Sequence, residues 1–147
     1  MTEPNATTAN PWEDSLIADI RANGGRPSGG PLAGHPLLLM WSTGAKSGQE
    51  RRSILTYSRD GQDYVVAGTK SGAPEDPLWV ANVTAHPRVR LEVANETFDA
   101  DATAFPDGPE RDRLWGQHVA DLPWFGKYEE QVTTRTIPVV RLHRAEA

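Results

Sequence analysis

Cysteine is absent from this chain of 147 residues. That removes disulfides, thiolate zinc sites, cysteine-ligated iron–sulfur clusters and cysteine nucleophiles from consideration. Long apolar runs are absent too. The longest, Pro36–Trp41, is far short of the ~20 residues of a membrane span and too short for a signal-peptide core. No basic segment precedes it, so a cytoplasmic address is expected. A positive excess is also lacking. Fifteen Lys and Arg face twenty Asp and Glu, for a net charge of −5, which argues against general binding to nucleic acid.

Several chemical signatures are missing as well. There is no G-x-G-x-x-G for a dinucleotide and no G-x-S-x-G nucleophile elbow. His35, His86, His118 and His143 are scattered without helical pairing, so no metal site is expected, and His118 reads as a helix-face residue at the edge of the core. Thr43–Ser47 looks superficially like a phosphate-binding P-loop. That motif needs glycine where Ala45 and Met40 stand, and a helix where strand-like sequence follows. What is left is a chain of one-domain size with no evident nucleophile, metal or acid–base pair. Such a chain suits an enzyme whose cofactor carries the reactivity.

What is present is an uneven charge distribution. Residues 1–43 hold two cations against four carboxylates, and residues 71–147 hold eight against thirteen. Residues 44–70 reverse the sign, with Lys46, Arg51, Arg52, Arg59 and Lys70 against Glu50, Asp60 and Asp63. The densest part of this island is Gly44–Arg52, where small residues surround the cations. This pattern concentrates positive potential for a small anion. A solvated surface turn is the plainer alternative.

The organisation reads as follows. Residues 1–34 form a polar tail, a short amphipathic helix and a Gly/Pro-rich loop, and residues 35–147 form the main domain. Asn10-Pro11 opens the helix, with Asn10 as cap, and Trp12, Leu16, Ile17 and Ile20 share one face. Pro36–Ser42 reads as a buried strand. Ser53–Ser58 and Gln62–Thr69 flank the turn signal Asp60-Gly61. Arg88–Val93 alternates strictly, Ala94-Asn95-Glu96 turns the chain, and Thr97–Phe105 continues as a strand. Thr136–Leu142 is a last strand whose Pro138 makes it an edge or delays its start. Asp76-Pro77 opens a helix with Asp76 as cap, and His86-Pro87 closes it. A second helix runs from Gly108-Pro109 to Leu122-Pro123, and a further helical turn lies between Gly126 and Val132. The expected class is mainly β with inserted helices, closed as a small antiparallel barrel.

Four blocks in order and spacing resemble one family. Thr43-Gly44-Ala45-Lys46-Ser47-Gly48-Gln49 followed by Arg51 is similar to the T-G-x-K-[ST]-G-x-x-R signature of the deazaflavin (coenzyme F420)-dependent nitroreductase and quinone reductase family of actinobacteria. Tyr64–Ala73, then Pro77–Asn82 with Ala85–Val89, and then Arg135–Val139 agree with it. The resemblance implies a split β-barrel and hydride transfer from the reduced deazaflavin to a small-molecule electron acceptor: a quinone, an activated enone or a nitroaromatic. It implies cofactor contacts at Ala45, Lys46 and Ser47. Further contacts fall at Arg51, Arg52, Ser53, Ile54, Leu55 and Thr56, at Ala67, Gly68, Thr69 and Lys70, and at Leu78, Trp79, Val80, Ala81 and Asn82. Lys46 and Arg51 would clamp the phosphate of this polyanionic cofactor. Trp79 and Asn82 have plainer readings as a core tryptophan and a helix-packing or capping amide.

On the substrate side the resemblance implies Trp12, Ile20, Phe125 and Tyr128, with Thr69 and Tyr128 orienting the acceptor or supplying a proton. The helix carrying Trp12 either covers the substrate cavity or simply docks on the barrel. Two departures stand out. Ser53-Ile54 replaces a proline, and Leu122 and Phe125 lack hydroxyls in a stretch that is tyrosine-rich in relatives, so acceptor choice is expected to differ. An FMN-dependent reductase on the same barrel, or an F420-binding carrier without turnover, are the alternatives. Peripheral membrane contact and a homodimer stay open.

Overall fold

The computed structural model describes residues 11–30 and 32–145. The expected polar tail over residues 1–10, with its Asn10 cap, lies outside the described residues. Helix α1 spans Pro11–Ala22, with Glu13 and Asp14 in its first turn, where the helix dipole favours negative charge. Ile17 and Ile20 are its buried residues, packed on Leu37 and Leu39. The chain leaves α1 through Gly24 and Gly25, both at positive φ. Gly25 must be small as well, because a Cβ there would stand 3.1 Å from the Ala94 backbone.

Strand β1 is Leu37–Thr43 and β2 is Glu50–Thr56. One residue, Tyr57, separates β2 from β3, Ser58–Asp60, which turns back into β4, Asp63–Ala67. Helix α2 covers Leu78–Ala85, followed by the hairpin of β5, Arg88–Val93, and β6, Glu96–Phe105. Ala94 and Asn95 both take positive φ at its turn, the geometry that suits the twist of a two-residue hairpin. Helix α3 is Pro109–Asp121, a single turn over Pro123–Phe125 leads to α4, Gly126–Gln131, and β7 is Val139–Arg144. As expected, Pro138 postpones the start of this last strand, and its carbonyl accepts from Gly68 N–H at 2.9 Å.

All seven strands form one antiparallel sheet in the order β2-β1-β5-β6-β7-β4-β3. Its two end strands, β2 and β3, are joined through Tyr57 alone. A 3.8 Å step per residue cannot bridge a flat seven-stranded sheet, so the sheet must curl until its ends meet. This is the mainly β split barrel with inserted helices that the sequence pointed to.

The period-2 alternation sorts side chains between two cores. Leu38, Met40, Tyr64, Val66, Val89, Leu91, Val93, Ala100, Val140 and Leu142 fill the inside, together with Trp79, Val80 and Val83 of α2. The opposite face of β4 and β7, with Val65, Ala67 and Val139, packs against Leu114 and Trp115 of α3 and against Leu122, Phe125, Val132 and Ile137. Burial on this scale is the main stabilising term, at about 25 cal/mol per Å² of apolar surface.

Two local expectations are corrected. Asp76 does not cap α2: the helix has no side-chain cap, and Asp76 instead pairs with Arg135. His118 is not at the edge of the core but wholly buried. Its Nδ1 lies 2.7 Å from Ser58 Oγ, and its ring meets Phe125 edge-on. Burial without a counter-charge lowers its pKa to about 4, so it is neutral at physiological pH.

Candidate cofactor and substrate site

The β1–β2 connection is a six-residue turn, Gly44–Gln49, built on its own hydrogen bonds. Gly44 N–H donates to the Gln49 carbonyl at 2.7 Å, and Gly48, at positive φ, donates back to the Gly44 carbonyl at 3.0 Å. Ser47 Oγ accepts from Gln49 N–H and from the Arg51 guanidinium, which also reaches Gln49 Oε1. Helix α2 secures the turn from outside: Asn82 Oδ1 accepts from Ala45 N–H at 2.9 Å, although Asn82 is 37 positions away. This is the plainer reading of Asn82, a capping amide, realised between a helix and a turn. No P-loop helix follows; strand β2 does.

This turn forms one wall of a cavity of 580 Å³. Its lining holds Ala45, Lys46, Ser47, Arg51, Arg52 and Ser53 on one side, and Leu78, Trp79, Ala81 and Asn82 of α2 on the other, with Lys70 at the boundary. Lys46 is exposed and, among the described residues, has no carboxylate partner. A second cavity of 330 Å³ continues from the first. It shares Lys70 and Trp79 with the first, and adds Ile54, Leu55, Thr56, Ala67 and Thr69 from the barrel. Its outer wall is aromatic and apolar: Trp12 and Leu16 of α1, Leu32, then Trp124, Phe125 and Tyr128.

Nearly all of the residues singled out from the sequence therefore line one continuous groove. Three do not. Gly68 and Val80 lie against each other behind it: a Cβ on Gly68 would stand 2.9 Å from both Val80 and Pro138. Ile20 is buried on β1, and it is Leu16 that reaches the groove from the same helix. Trp79 is a core tryptophan, only 8% exposed inside the barrel, and it also lines both cavities. Helix α1 docks on β1 and contributes Trp12 and Leu16 to the second cavity.

The sequence did not suggest what Arg52 does. Its guanidinium is paired with Glu13 at 3.2 Å and lies 3.9 Å from Asp14, so it ties the first turn of α1 to strand β2. Its Nε is buried and has no hydrogen-bond partner among the described residues. Nothing local signals this pair, which joins residues 39 positions apart.

The groove's chemistry changes along its length. At one end are Lys46, Arg51 and Arg52 with exposed backbone of the turn; at the other, aromatic and aliphatic side chains stand beside Glu13, Thr56, Thr69 and Tyr128. That donor set fits a ligand with an anionic tail and a planar ring. Among the described residues no cluster of His, Asp and Glu is placed to hold a metal ion. No described helix is long and apolar enough to cross a membrane.

A split barrel with a cation-lined groove running into an aromatic slot is shaped to take an anionic ligand with a planar ring. Residues 15–144 match the family model described as F420H(2)-dependent quinone reductase. The chain belongs to this family of F420-dependent oxidoreductases. It is 38% identical over 113 residues to an F420H(2)-dependent quinone reductase of Mycobacterium tuberculosis, covering 74% of each chain. Among solved structures it resembles an F420-H2-dependent reductase, FDR-A, with 31% identity, a TM-score of 0.65, and 74% of this chain and 94% of that one covered. A chain described as a domain-swapped dimer is 28% identical, with a TM-score of 0.67 and coverage of 90% and 97%. A FAD-binding protein of Mesorhizobium loti, at 13% identity and a TM-score of 0.55, shares the fold alone.

Proposed function

We propose that this protein binds reduced coenzyme F420 along the groove and reduces a quinone held in the aromatic slot. The observation that carries this reading is the continuity of the two cavities through Lys70 and Trp79. One end offers cations and the other offers aromatic and aliphatic walls with a few hydroxyls, which suits a ring with a polyanionic side chain.

When bound, the reduced deazaflavin supplies a hydride. The chain's own residues do the rest. Lys46 and Arg51 take the phosphate at the turn, with Arg51 held in place by Ser47 and Gln49. Lys70 adds a third cation, and its present partner Glu75 is exposed and easily exchanged. Ile54, Leu55, Thr56 and Ala67 give the ring a dry floor. Trp12, Leu16, Trp124 and Phe125 enclose the acceptor, so that water is excluded and the reacting atoms are held face to face. Thr69 and Tyr128 present the hydroxyls that hold the acceptor's oxygen and deliver or relay a proton to it. Phe125, without a hydroxyl, narrows what the slot recognises. Activated enones and nitroaromatics are the further acceptor classes for the same slot.

Titration of the purified protein with F420 and with FMN tests the cofactor. Tight FMN binding without F420 binding overturns the reading. Rapid mixing of the F420H2-loaded protein with a panel of quinones, enones and nitroaromatics tests the reaction. Oxidation by a quinone is expected, whereas binding without oxidation by any acceptor makes the protein a carrier.

A further inference from the structure

Arg135 lies between α4 and β7 and lines neither cavity, yet its guanidinium organises one wall of the groove. Nη1 donates to the Gly68 carbonyl at 3.0 Å and to Asp76 Oδ1 at 2.6 Å. Nη2 donates to the carbonyls of Thr69 at 3.1 Å and Ala73 at 3.0 Å, and Nε reaches Ala73 again at 3.3 Å. Three backbone carbonyls from one short turn thus converge on a single cation whose side chain is only 12% exposed. Lys70 sits at φ +47°, a left-handed conformation that a lysine adopts only under constraint. Two bonds within the turn close it, Gly72 N–H to Thr69 and Ala73 N–H to Lys70. The turn whose carbonyls bind Arg135 also contributes Thr69 and Lys70 to the lining of the groove.

We propose that Arg135 is a positioning residue that sets the Lys70 cation and the Thr69 hydroxyl in the groove, and so governs cofactor affinity without touching the cofactor. The inference rests on the assignment of the groove to F420. A lysine at this position would keep the charge but lose the planar fork that serves several carbonyls at once. Asp76 completes the arrangement by holding the outer edge of the fork.

The test is a double-mutant cycle on F420 binding to the full-length protein, read by equilibrium titration at several salt concentrations. Lys70→Ala is expected to weaken F420 binding about tenfold, the scale of one charge-assisted bond, and to flatten its salt dependence. Arg135→Lys is expected to do the same in the native background, and to add less than about twofold when Lys70→Ala is already present. Loss of salt dependence on changing a residue outside the groove is a result that a merely structural role would not give. Asp76→Asn, at the exposed rim, is expected to shift affinity the same way but less, and it serves as the probe if Arg135→Lys does not fold. Native F420 affinity in a folded Arg135→Lys protein, or effects that add fully with Lys70→Ala, would overturn the inference alone. If Lys70→Ala leaves F420 binding unchanged, the groove assignment fails first and the inference falls with it.

Discussion

Asn82 Oδ1 accepts a hydrogen bond from Ala45 N–H at 2.9 Å, and this contact fastens helix α2 to the β1–β2 turn. The amide oxygen faces a backbone donor in a region lined by cations, so both its geometry and its neutrality matter. Asn82→Ala removes the acceptor and is expected to cost about 1 kcal/mol of stability as well as cofactor affinity. Asn82→Asp keeps an acceptor at the same place but adds a negative charge where the proposed cofactor brings its own. It is expected to preserve stability while weakening F420 binding more than the alanine variant. Denaturant unfolding and F420 titration on the two variants separate these effects. Equal losses of affinity would show that charge at this position is immaterial.

Lys46 and Arg51 should behave differently although both are cations of the same turn. Lys46 is exposed and has no carboxylate partner among the described residues, so Lys46→Ala should change stability by less than about 0.5 kcal/mol. Its cost should appear in F420 affinity, at about 1.5–3 kcal/mol for a lost charge-assisted bond, and should fall with added salt. Arg51 also braces Ser47 and Gln49, so Arg51→Ala should lose turn order together with affinity. Unchanged F420 affinity in both variants would remove the phosphate clamp from this turn.

His118 predicts an acid limb of stability. Its folded pKa of about 4 lies below the ordinary 6.5 because burial disfavours the charged ring. The unfolded chain therefore binds a proton that the native one does not. The stability is complete above pH 6.5 and is lost as pH falls from 6.5 toward 4, by about 3 kcal/mol at 1.36 kcal/mol per pH unit. Asp19, Asp60, Glu96 and Glu110 have carboxyls held below their ordinary range by hydrogen-bonding partners, and their contribution is lost at lower pH still. His118→Asn keeps polar atoms for Ser58 but does not titrate. It should be less stable at neutral pH and much flatter between pH 6.5 and 4. A parallel pH dependence in the two proteins would rule out His118 as its source.

These features differ in how far they could be read from sequence. Strand Arg88–Val93, its Ala94-Asn95 turn and the late start after Pro138 follow from local rules, because alternation, positive φ and a missing N–H act within a few residues. The groove's cations were visible as a charge reversal and a motif. The long-range pairs were not. Asp76 carries a strong capping signal before Pro77, but Arg135, 59 positions away, takes its carboxylate. His118 belongs to an apolar helical stripe, yet only the arrival of Ser58 from β3 shows that it is enclosed. The break at Tyr57 has no local cause either. Residues 53–58 read as one strand, and it is closure of the barrel that divides them.

The place of β7 has a consequence for how the protein is made. It is the last strand in chain order, yet it lies inside the sheet, between β6 and β4. Val139 pairs with Ala67 on one side and with Phe105 on the other. During synthesis β3 and β4 therefore have no route into the sheet except through a strand that has not yet been translated. The end of β4, where Thr69 and Lys70 follow, stays without its neighbour until then. Pairings of such sequence separation form slowly. The nascent chain thus carries the segments that line the groove early but can bring them together only once β7 is in place.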